Sequence, residues 1–151
     1  MSDPTFVELF AAPKSVERKQ LRYNLAAKYV GAGILWGSFS DIYQLLDILT
    51  EKFGIESESP AIFIKSRDMK HPINFYRLDR VQDDVAKAFF LLKESETPEL
   101  AKAWMERCLK SGTELPAEWT EYLTEFLKEC LRIFPPEFEK GYNLYIWEKY
   151  L

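Results

Sequence analysis

The chain has one histidine, two cysteines and six glycines in 151 residues, and these shortages remove most familiar chemistries. With His71 alone, no zinc cluster can form, because Cys108 and Cys130 stand 22 positions apart with no second pair beside either. No H-E-x-x-H, G-x-S-x-G or EF-hand loop is present. No run approaches the roughly 18 apolar residues that a membrane helix needs. The opening "MSDPTFVELFAAPKS" has neither a basic stretch nor a long apolar one, so it does not read as a secretory signal. A cytoplasmic protein with free, buried thiols is expected, needing no metal or organic cofactor.

The glycines that exist gather in "VGAGILWGSFSD", but their spacing is G-x-G-x-x-x-G. A dinucleotide loop needs its glycines between strand and helix, where backbone N–H groups meet the pyrophosphate. Here Gly31 and Gly33 precede the apolar run, and no Lys-Ser or Lys-Thr follows Gly37. The stretch is architecture: glycines let the chain enter and leave a crowded strand.

Plentiful instead are large rings and charges. Aromatics make up 15% of the chain, with 4 Trp and 8 Tyr, and 24 acids against 20 bases give a net charge of −4. That balance argues against general binding to nucleic acid or anionic membrane. The charge is uneven, however. Five bases (Lys65, Arg67, Lys70, Arg77, Arg80) and His71 lie between positions 65 and 80, whereas 14 acids and 9 bases follow from Val81 onward. Arg67 and His71 are the most enzyme-like pair, since metal-independent ribonucleases use His as acid or base and a cation on the phosphorane. Their R-x-x-x-H spacing falls one residue short of the R-x(4–6)-H motif of HEPN ribonucleases, and it lies in a turn rather than on a helix. The 24 acids show no pattern that singles out a catalytic pair.

Periodicity predicts a predominantly helical α+β single domain over residues 1–151, with five to six helices and a small sheet. Asp3-Pro4 suggests a short helix to about Phe10. Ser15 suggests a second, with Leu21, Leu25 and Tyr29 on one stripe and Arg18, Lys19, Arg22 and Lys28 on its other faces. "GILW" reads as a strand, followed by a helix with Ile42, Leu45, Leu46, Leu49 and Phe53 inward and Gly54 at its end. "AIFIKS" and "PINFYRL" read as a hairpin near residues 61–78. Helices follow from Asp83 or Asp84 through "VAKAFFLLKE", from Thr97-Pro98 to Gly112, and from Pro116 to Pro135-Pro136, which should end the last. The tail "YNLYIWEKYL" alternates weakly and reads as a last strand or a last helix, with the strand favoured.

Two functions follow. The first is a non-catalytic module that binds one protein partner with a basic face, as immunity proteins, antitoxins and other inhibitors do. Its anchors would be rings left over from the core: Trp36, Tyr43, Tyr142, Tyr145, Trp147 and Tyr150. The second is a nucleic-acid-directed protein or metal-independent ribonuclease using Lys65, Arg67, Lys70, His71, Arg77 and Arg80.

Overall fold

The computed structural model describes residues 5–36, 39–56, 58–69, 74–110 and 118–150. Five antiparallel strands form one sheet: β1 (Thr5–Ala12), β2 (Val30–Trp36), β3 (Ala61–Met69), β4 (Asn74–Val81) and β5 (Asn143–Tyr150), in the order β2-β1-β5-β4-β3. The C-terminal strand is therefore central, paired with β1 on one side and β4 on the other. Helices α1 (Phe39–Phe53), α2 (Asp83–Ala86), α3 (Ala88–Leu91), α4 (Thr97–Lys110) and α5 (Trp119–Glu139) pack on one face. The fold is α+β as expected, with a larger sheet and fewer long helices.

Period-2 alternation sends each strand's side chains to two faces. Val7, Leu9 and Ala11 of β1, with Leu144 and Ile146 of β5, meet Leu45, Leu46, Leu49, Trp104, Phe126 and Leu127 of the helices. Phe10 and Ala12, with Tyr76, Leu78, Tyr145 and Trp147, turn the other way. There they are covered by residues 13–29, a strap of two 3₁₀ turns (Lys14–Arg18 and Leu25–Lys28) that buries Val16, Leu21, Leu25 and Ala26. Rings stack beneath it: Phe10 on Tyr145 at 5.6 Å and Tyr76 near Trp147 at 5.3 Å between centroids.

Several elements differ from the sequence reading. "TFVELFAA" is strand β1, because both its faces find apolar cover, and a two-sided buried strand loses the simple alternation that marks a half-buried one. Asp3 and Pro4 lie outside the described residues. The second expected helix is the strap. "VAKAFFLLKE" makes only two single turns, interrupted at Lys87. Pro135 and Pro136 do not stop α5, which continues through them to Glu139. Phe134 is fully buried and stacks on Phe138 at 6.1 Å, and this anchoring of the last turn outweighs the two missing N–H donors.

Two glycines have a visible reason. A Cβ on Gly31 would come within 3.2 Å of the Leu9 carbonyl oxygen across the β1–β2 pair, and Gly54 closes α1 at φ +62°. Gly37, Gly112 and Pro116 fall outside the described residues. No helix among those described is long and apolar enough to cross a membrane.

Candidate partner-binding surface

The cations of the expected nucleic-acid patch are divided between the two faces of the sheet. On the helix side, Arg77 Nε donates to Asp79 Oδ1 at 3.0 Å, sits opposite Glu148 in register, and places its guanidinium 5.0 Å from the Phe63 ring centre. Asp79 and Glu148 are each 1% exposed. Burial pushes the Asp79 carboxyl up, and Arg77 offsets only part of that rise. Burial alone would lower Arg77, but Asp79 and Glu148 outweigh it and hold the guanidinium above its usual value. Asp79 is thus paired with Arg77 within β4, and Glu148 of β5 faces the same guanidinium across the strand pair.

On the strap side, Arg80 and the Tyr145 hydroxyl both donate to Glu17 Oε2, at 2.6 and 2.7 Å. Lys65 donates to the Lys19 carbonyl, and Arg67 to the Leu21 carbonyl at 2.9 Å. Lys149 reaches Glu8 at 2.8 Å. Lys70 and His71 fall outside the described residues. Thus Lys65, Arg67, Arg77 and Arg80 are engaged within the fold and do not converge on an open site.

Glu17 clamps the strap, and its titration should show this. Burial alone would raise its carboxyl, but the bonds from Tyr145 and Arg80 outweigh it and hold the group below 4.5. A carboxylate depressed in the folded state stabilises above its unfolded pKa and loses that contribution as pH falls through the folded pKa. Glu17→Gln is expected to cost about 1–2 kcal/mol at neutral pH. In urea titrations the variant and parent should converge as acid protonates Glu17; a gap independent of pH would remove the clamp.

The expected aromatic anchors are placed differently. Tyr145 and Trp147 are both 0% exposed, so neither is a surface anchor. The strap covers the face of β5 that would otherwise have presented them. Tyr43 is half-buried on α1, bonded to Ser59 Oγ and the Ala61 carbonyl at 3.2 Å each. Tyr142 is half-buried beside Lys140 and lines a cavity of about 180 Å³ with Asp83, Lys87 and Phe138. Trp36 and Tyr150 lie in β2 and β5, with their side chains outside what is described. One of the two edge strands, β3, carries a bulge between Phe63 and Lys65, a device that discourages strand addition.

A different surface combines acid with exposed aromatic area. At 100° per residue, Glu118, Glu121, Tyr122 and Glu125 fall on one side of α5, and all four are exposed. Tyr122 is 44% exposed and meets Trp119 edge-on at 5.3 Å. Trp119 packs on the core margin, which holds Tyr122 against a fixed support. No base occurs from Glu118 to Leu127. Further along, Glu94, Glu125, Lys128, Glu129, Leu131 and Arg132 line a groove of about 440 Å³. In the sequence, Trp119 and Tyr122 read as part of the α5 apolar stripe; the signal for Tyr122 was its place among three glutamates.

Among the described residues, no group of three or more His, Cys, Asp or Glu could hold a metal. Both cysteines are free and buried, and burial pushes the Cys130 thiol up, which disfavours a thiolate. Comparison with protein-family models, with curated proteins and with solved structures gives no match.

Proposed function

We propose that this chain is a cytoplasmic, non-catalytic protein-binding module that docks one partner through the outer face of α5. The observation that carries the reading is the exposed Tyr122, supported by Trp119 and ringed by Glu118, Glu121 and Glu125. Three carboxylates on two turns attract a basic face and speed encounter with it. A tyrosine supplies contact area at small entropic cost, with a hydroxyl to bond at the rim. The acids suit this end of the helix, where the macrodipole favours negative charge. An immunity protein, antitoxin or other inhibitor of a basic protein is the class this surface fits.

The test begins with the partner recovered from the native host. Tyr122→Ala should weaken its binding by about 2 kcal/mol, roughly thirtyfold, without moving the unfolding midpoint. Glu121→Lys should slow association and flatten its salt dependence. Unchanged affinity in both variants would send the binding site elsewhere.

A further inference from the structure

We infer that the strap carries a second site, which binds single-stranded nucleic acid: Lys19, Arg22 and Lys28 hold phosphates while Tyr23 stacks on a base. Residues 13–29 contain five bases and one acid, a local charge of +4 in a chain whose total is −4. The one acid, Glu17, is held by Arg80 and Tyr145. Lys14, Arg18, Lys19, Arg22 and Lys28 are all exposed, and none forms an ion pair with another described residue.

These charges enclose a space. Lys19, Gln20, Arg22, Asn24, Leu25 and Lys28 line a groove of about 330 Å³, within the size range of small-ligand pockets. Three cations fix the sign of the ligand. Arg22 is oriented by donating from Nε and Nη2 to Gln20 Oε1, and Lys19 Nζ by donating to the Tyr29 hydroxyl at 2.8 Å, while the Asn24 amide and the Gln20 NH2 supply groups suited to base or sugar edges. Next to the groove, Tyr23 is 66% exposed, the most exposed large ring described, with Lys149 Nζ 5.6 Å from its centre. A basic groove beside an exposed ring is the pairing that binds single strands without reading sequence. An isolated phosphate would have no use for the ring, and a duplex would hide its bases from it.

The groove is also pre-shaped. Lys65 and Arg67 hold the carbonyls of Lys19 and Leu21, and Leu21 and Leu25 are buried beneath. The basic hairpin therefore serves the site indirectly, by pinning the backbone that displays it. The acidic α5 face lies beyond the sheet and the helix layer, farther than the screening length of ~8 Å at physiological salt, so the net charge of the chain does not cancel the local field.

The test is fluorescence anisotropy with a labelled oligothymidylate of about ten nucleotides, titrated between about 25 and 200 mM salt. Three phosphate contacts to a single strand predict a log–log salt slope of about −2. Arg22→Gln should flatten that slope by about 0.7. Tyr23→Ala should weaken binding about tenfold with the slope kept. Both positions are exposed, so unfolding midpoints should not move. Absence of saturable binding at low salt would overturn the proposal. Wild-type affinity in Tyr23→Ala, with tripolyphosphate displacing the probe as well as oligothymidylate does, would make the groove a plain anion site and overturn it too. So would low-salt self-association abolished equally by Arg22→Gln and Glu121→Lys, which would seat a second copy's acidic face in the groove.

Discussion

Trp147→Ala is expected to destabilise the protein by about 3–5 kcal/mol, the largest effect of any single substitution considered. Trp147 sits on the central strand, fully buried, between Tyr76 and the strap. Truncation leaves a cavity where the strands on both sides are fixed by ladder pairing, so the site cannot collapse around it. In a domain of about 150 residues each kcal/mol moves the midpoint by about 2–4 °C, giving a loss of roughly 6–20 °C by calorimetry. Trp147→Phe should cost only a fraction of this, because the indole Nε1 has no hydrogen-bond partner among the described residues. At a temperature where the variant is still folded, its partner affinity should match the parent. A near-native midpoint for Trp147→Ala would mean that the strap does not close this face.

The second large effect is Arg77→Met, expected to cost about 3 kcal/mol at neutral pH. Removing one member of a buried pair leaves the other charge uncompensated, at about 3–5 kcal/mol. The lower end applies because the Arg77 side chain is itself 36% exposed while Asp79 is 1%. The pH dependence has a definite sign. Asp79 is already raised above 3.8 in the fold, and losing Arg77 raises it further. The folded state then binds a proton more readily than the unfolded one, so the variant loses stability as pH rises through that window. The gap to the parent should therefore narrow as pH falls and Asp79 protonates. The double variant Arg77→Met with Asp79→Asn should recover only part of the loss at neutral pH, since the Asp79 charge is no longer stranded while buried Glu148 still loses Arg77. A gap constant with pH would show that Arg77 contributes by packing on Phe63 alone.

What the sequence made legible follows its local periodicity. The α1 stripe of Ile42, Leu45, Leu46 and Leu49, the hairpin of β3 and β4, and the tail strand are set by short-range spacing, and the structure has all three. β1 was hidden because a strand buried on both faces lacks clean alternation, with Glu8 its one charged residue and taken by Lys149, and Asp3-Pro4 supplied a helix-start signal. The strap was hidden for a different reason. Leu21, Leu25 and Tyr29 are four residues apart in a helix-like pattern, yet Leu21 and Leu25 are buried, and Tyr29 partly so, against a sheet face that includes the distant C-terminal strand.

That non-local cover also decided the candidate site. Alternation in β5 puts Tyr145 and Trp147 on one face and Leu144 and Ile146 on the other, but only the strap's position shows that both faces are interior. Once those rings are assigned to the core, the exposed aromatic area shifts to residues whose helical stripe is wide, such as Tyr122 at the margin of α5. The carboxylates around it were visible as an acid-rich second half, and their convergence with a ring was not.

The most direct measurement is carbodiimide footprinting of surface carboxylates in the free protein and in its complex with the partner, read by mass spectrometry. Glu118, Glu121 and Glu125 should lose most of their labelling on binding, while Glu56 and Glu58, exposed beyond the end of α1, keep theirs. Unchanged labelling at all three α5 glutamates, with protection found elsewhere, would contradict the assignment of α5 as the docking face.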